Sequence, residues 1–191
     1  SSDNSCAPDE LSDAEAMTLI DDLAAFGSPV LLFSGGEPLM RPGVLDLATY
    51  ARSKGLRVVL STNGNLITPE LAARFKEIDL SYVGISLDGA TPEVNDHFRG
   101  KEGAFVKALA AIRFCREAGV KVGLRLTMSR QNARDIEAIF DLLDAENIPR
   151  VCFYHLVSAG RGGQMGADAL SSEETRATLD TILRRTRECH D

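Results

Sequence analysis

The chain has little cysteine. Cys6, Cys115, Cys152 and Cys189 are scattered, and no two stand at metal-ligand spacing. No metal site is therefore assigned. Cys115 follows Arg113-Phe114 and Cys152 lies between Val151 and Phe153; both read as reduced, buried structural thiols, which fits a reducing cytoplasm. A basic excess is also missing. Lys and Arg number 21 against 28 Asp and Glu, for a net charge of −7, so neither nucleic acid nor an anionic membrane surface is an expected partner. There is no apolar run long enough to span a bilayer and no signal-peptide pattern. G-x-G-x-x-G and Walker patterns are absent. So is any Ser-His-Asp or Cys-His nucleophile set, and no catalytic residue is assigned.

What is present is a regular alternation of strand-like and helix-like runs. Hydrophobic residues make up 44% of 191 residues, which suits one soluble domain over residues 1–191. A helix at Ser12–Phe26 precedes five pairs. Pro29–Ser34 leads to a helix at Gly43–Lys54, Arg57–Ser61 to Pro69–Phe75, and Tyr82–Leu87 to Gly103–Ala118. Val120–Thr127 leads to Ala133–Ala145, and Arg150–Leu156 to Ser172–Cys189. Ser12 with Glu15 and Ser171 with Glu174 are capping-box patterns. Thr68-Pro69 reads as an N-cap with a first-turn proline. Gly27, Gly55 and Gly119 stand where helices end. Strict β-α alternation means a parallel sheet with crossover helices. Polar and glycine residues gather after every strand rather than after the first alone, which favours a βα barrel or partial barrel over a doubly wound sheet. The opening Ser1-Ser2-Asp3-Asn4-Ser5 has no initiator methionine and the chain stops straight after a helical pattern; it reads as a segment truncated at both ends.

The strand ends supply the candidate residues. Gly35, Gly36, Glu37 and Pro38 put a carboxylate where the first strand turns. It suits an ammonium group, or equally serves as a cap for the next helix. Thr62 and Asn63 offer a hydroxyl and an amide for a polyol, or form an ordinary Asn-Gly turn. Ser86 and Asp88 lie two residues apart, so strand alternation sends both to one face; either both reach a ligand or a buried serine satisfies backbone groups. Arg125 and Thr127 alternate with leucines. An arginine inside a strand needs a partner, either a ligand carboxylate or Glu37 or Asp88. The polar stretch Asn95–Gly100 reads as a loop whose His97 or Arg99 meets an anionic substrate, unless His97 is merely solvated. Leu156 and Val157 offer an apolar wall to a flat ring, ahead of a glycine-rich loop carrying Arg161.

Taken in order, these segments resemble the core of a radical S-adenosylmethionine (SAM) enzyme. The resemblance covers nearly the whole chain and implies an α/β fold, a TIM-like partial (β/α)6 barrel. Gly35-Gly36-Glu37-Pro38 resembles the family's GGEP motif, which holds the methionyl ammonium of SAM. Thr62-Asn63 and Ser86-Leu87-Asp88 resemble the next strand ends lining that site, Thr127 with Arg125 the one after, and Leu156-Val157 the usual adenine contact. The hallmark C-x3-C-x2-C, whose thiolates bind a [4Fe-4S] cluster, is absent. The implied reading is that the first strand and cluster loop lie outside this chain, which alone is inactive. Within the family the chain is similar to the tetrapyrrole-modifying branch with a SPASM-type extension, including NirJ-like enzymes of haem d1 biosynthesis. Such enzymes remove propionate side chains from a sirohaem-derived tetrapyrrole through a 5′-deoxyadenosyl radical. His97, Arg99 and Arg161 would then meet substrate carboxylates, and the reductant would be a flavodoxin or ferredoxin. The alternatives are a SPASM-type peptide maturase and a non-catalytic SAM-binding module.

Overall fold

The computed structural model describes residues 10–157 and 167–189. In chain order the elements are α1 (Asp13–Phe26), β1 (Val30–Phe33), a 3-10 turn (Pro38–Met40), α2 (Val44–Ser53), β2 (Arg57–Thr62), α3 (Pro69–Glu77) and β3 (Tyr82–Ser86). There follow α4 (Pro92–Arg99), α5 (Ala104–Glu117), β4 (Val122–Met128), a second 3-10 turn (Ala133–Asp135), α6 (Ile136–Ala145), β5 (Val151–His155) and α7 (Ser172–Glu188). The sheet order is β1-β2-β3-β4-β5, the sequential order that right-handed β-α crossovers produce. The chain divides into two compact units, residues 1–85 with 110–122 and residues 86–109 with 123–191.

In the first unit, β1 pairs parallel to β2 and β2 to β3, with Leu31 opposite Val58, Phe33 opposite Leu60 and Thr62 opposite Ile85. Val58, Leu60, Thr62, Val83 and Ile85 share one pleated face and are 0–3% exposed. α2 packs against β2. The opposite face carries Val30, Leu32, Val59, Ser61 and Gly84. Continuous apolar composition predicts strands buried on both faces. β1 departs from this, with Val30 and Leu32 40% and 43% exposed. Among the described residues it is the first strand in the sheet order and pairs on one side only.

In the second unit, β4 pairs parallel to β5, with Arg125 opposite Cys152 and Thr127 opposite Tyr154. Leu124, Leu126 and Met128 point to the buried face, where Phe153 stacks on Phe140 of α6 with ring centroids 5.9 Å apart. Arg125, Thr127 and Cys152 lie on the other face and are half-buried. Cys152 is thus less enclosed than its apolar neighbours in sequence indicate. Cys115 is fully buried, and burial pushes its thiol up to about 12. The capping boxes at Ser12–Glu15 and Ser171–Glu174 form.

One element corrects the sequence reading. Residues 95–100 are not a loop: Pro92–Arg99 is a helix, α4, with Thr91 as N-cap and Gly100 as its left-handed C-cap. Its only fully buried residue is Asn95, so no apolar stripe marked it.

Candidate functional site

Glu37 stands where β1 ends. Gly35 takes φ +116, a conformation open to glycine alone, and a Cβ there would meet nothing within 4 Å. The chain turns and Pro38 starts the 3-10 turn, with Glu37 as its N-cap. The carboxylate binds three donors of its own unit. Oε1 accepts from Leu39 N at 3.1 Å and from Thr62 Oγ1 at 2.7 Å, and Oε2 accepts from Asn63 N at 2.7 Å. The capping role is therefore real, and the same carboxylate also ties the end of β1 to the end of β2. A carboxylate has about four acceptor positions. With two donors on Oε1 and one on Oε2, one position is left over, on Oε2.

The structure brings Thr62 and Asn63 to Glu37 as supports. Thr62 is 2% exposed, on the buried face. Its hydroxyl donates to Glu37 and accepts from Gly64 N at 3.1 Å. The Asn63 side chain turns back on its own loop, Oδ1 accepting from Asn65 N at 2.8 Å. The hydroxyl on the opposite, half-exposed face is Ser61, which sequence reasoning passed over. The alternation Val58-Leu60-Thr62 against Val59-Ser61 carried that signal.

In the second unit Asp88 is 1% exposed. It lies beyond the last residue of β3, so alternation with Ser86 does not reach it. Oδ1 accepts from Thr127 N at 2.7 Å. Oδ2 has Arg99 Nε at 2.7 Å, an ion-pair contact off the hydrogen-bond line. Burial raises the Asp88 carboxyl above its ordinary range, against the opposing pull of Arg99 and the Thr127 N–H. Asp88 and Arg99 thus neutralise one another, where the sequence reading set them facing cofactor and substrate. The Arg125 guanidinium lies 4.5 Å over the Tyr154 ring, a cation–π contact, and has no acidic protein partner among the described residues. Ser86 and Thr127 are half-buried, His97 is exposed on α4, and Leu156 and Val157 follow β5 with Val157 67% exposed. Arg161 lies outside the described residues, as does Cys6. Asn95 and Asn132, 1% and 0% exposed, are buried polar residues that carried no assignment from sequence.

Among the described residues no group of His, Cys, Asp and Glu is arranged to hold a metal ion, and no helix is long and apolar enough to cross a membrane.

A sequence profile of the Radical SAM superfamily matches residues 2–143. A Methanosarcina barkeri protein named Fe-coproporphyrin III synthase is 60% identical over 182 residues, covering 95% of this chain and 45% of that protein. A pre-heme d1 synthase of Dinoroseobacter shibae is 40% identical over 178 residues, 93% of this chain and 44% of that protein. The chain thus spans under half the length of these relatives. The crystal structure of Streptococcus suis SuiB bound to precursor peptide SuiA superposes with a TM-score of 0.73 at 14% identity, over 93% of this chain and 41% of that one. That likeness bears on the fold, and it is the α/β partial-barrel class expected from the sequence.

Proposed function

The chain belongs to the radical SAM superfamily, and from that premise we propose that it is the SAM-holding core of an enzyme that modifies a haem-related tetrapyrrole. The family's cofactors are SAM and a [4Fe-4S] cluster. The residues present fit SAM: an ammonium completes the acceptor set of Glu37, and the open surroundings of Gly35 leave room beside it. Gly36, Ser61, Ser86, Arg125 and Thr127 are further candidate contacts. The residues of this chain do not fit the cluster, because its four cysteines are scattered along the sequence. SAM, when bound, supplies a hydrogen-abstracting group. The protein's part is to hold the ammonium, fix the strand-end hydroxyls and keep water away.

The observation that carries the tetrapyrrole reading is the 60% identity to Fe-coproporphyrin III synthase along almost the whole chain. The 40% identity to pre-heme d1 synthase supports the same substrate class, and a haem d1 role is the second reading. His97 remains a candidate for a substrate carboxylate, by a charge-assisted contact.

The test uses the whole protein, anaerobically, with SAM, a reductant such as ferredoxin or flavodoxin, and a sirohaem-derived iron tetrapyrrole. The expected result is a product that co-elutes with Fe-coproporphyrin III and depends on SAM. A product matching a haem d1 precursor would restore the second role. Absence of any Soret change on titration, with SAM consumed only when a peptide is supplied, would overturn the tetrapyrrole reading.

A further inference from the structure

Both backbone polar groups of Thr127 are gripped by buried side chains. Its N–H donates to Asp88 Oδ1 at 2.7 Å, and its C=O accepts from Asn132 Nδ2 at 2.8 Å. The same Asn132 amide reaches Asp88 O at 2.8 Å, while its Oδ1 accepts from Ser129 N at 2.9 Å. Asn95 Oδ1 accepts from Asp88 N at 2.9 Å, and Arg99 balances the Asp88 charge from the end of α4. Polar groups this deeply buried are costly unless satisfied, and once satisfied they rigidify what they touch. Here they converge on two residues, Asp88 and Thr127. Threonine is stiff at χ1 because it branches at Cβ, so fixing the Thr127 backbone also narrows the directions open to its hydroxyl.

We infer that Asp88, Asn132 and Arg99 are positioning residues that aim the Thr127 hydroxyl on the open face of β4 at the bound cofactor. This rests on the proposed reading in which Thr127 contacts SAM. Arg99 acts at the greatest remove. Without its guanidinium the buried carboxylate of Asp88 turns outward to shed its unpaired charge, and the Thr127 N–H loses its acceptor.

The experiment measures SAM affinity of the whole protein by equilibrium dialysis, with thermal melts to confirm folding. Thr127→Val is expected to weaken binding about tenfold, the scale of one hydrogen bond to a charged ligand. Arg99→Met is expected to weaken it by about as much, and Arg99→Lys by distinctly less. The double variant Thr127→Val/Arg99→Met should bind within about twofold of Thr127→Val alone, because Arg99 acts only through Thr127. Full additivity, or an unchanged affinity in Arg99→Met while Thr127→Val is impaired, overturns the inference. An unchanged affinity in Thr127→Val instead overturns the parent reading of Thr127. Where Arg99→Met does not fold, Asp88→Asn/Arg99→Met replaces it. That pair keeps an acceptor for Thr127 N–H without a lone buried charge. Its expected affinity lies within about threefold of the parent, and a tenfold loss would count against the inference.

Discussion

Glu37 does two jobs with one side chain. Its carboxylate closes the turn after β1 through Leu39, Thr62 and Asn63, and one acceptor position stays free. Glu37→Gln keeps the shape but places an amide where Asn63 N–H needs an acceptor, as does an ammonium in the proposed SAM reading. The expected cost is about 1–3 kcal/mol in chemical denaturation, together with at least a tenfold loss in SAM affinity by dialysis; a variant that loses stability alone would reduce Glu37 to a cap. Sequence reasoning left cap and ligand as equals because one short motif serves both. The cysteines divide just as sharply. Cys115 is buried with its thiol near 12, whereas Cys189 is exposed. Alkylation at mildly alkaline pH should label Cys189 and leave Cys115 untouched until the fold opens, as read by peptide mass spectrometry.

Among the elements, α4 shows what a short polar helix hides. Its cap Thr91, first-turn Pro92 and terminal Gly100 were all visible in the sequence as punctuation, but no apolar period ran between them. The turn leading into it is tight: a Cβ on Gly89 would lie 2.6 Å from Asn95 N and 2.7 Å from Val94 Cγ1. Neither neighbour can move without shifting the helix that carries Arg99. Gly89→Ala should therefore destabilise the protein by about 1–3 kcal/mol, seen as a lower denaturant midpoint with an unchanged slope. Thr91→Ala removes the bond to Val94 N and should cost about 1 kcal/mol. The longer helices were legible because their caps and their apolar spacing agreed. β1 was legible as a strand, but its 40–43% exposure at Val30 and Leu32 follows from its place in the sheet order, which a local run of apolar residues does not encode.

Across the whole molecule, acid is the weak side. Asp21 is held below its ordinary range by Lys54 and Tyr50. Asp96 is too: burial works to raise it, but the N–H groups of Phe105 and Gly103 and the Asn95 amide prevail. A lowered folded pKa contributes stability above the unfolded value and loses it as pH falls through the folded one. Asp88 has the opposite sign. Raised by burial, its contribution is present at low pH and lost as pH rises through its folded value. The depressed carboxyls outnumber it, so melting temperature should fall as pH drops below about 4. Asp96→Asn should flatten that dependence; an unchanged acid limb would show that Asp96 plays no part in it.

The sequence by itself determined the order of the strands and the longer helices, the capped helix ends and the GGEP turn, since spacing, punctuation and motif are local properties of a chain. The tertiary structure decided which polar side chains face inward. It put Thr62 under Glu37 and left Ser61 open, set Arg99 on Asp88 and Arg125 on Tyr154, and made Asn95 and Asn132 the buried fasteners of the strand ends. Those choices depend on which strand stops where and which groups meet across tens of residues. A buried charge takes as partner whatever the fold brings within hydrogen-bond reach.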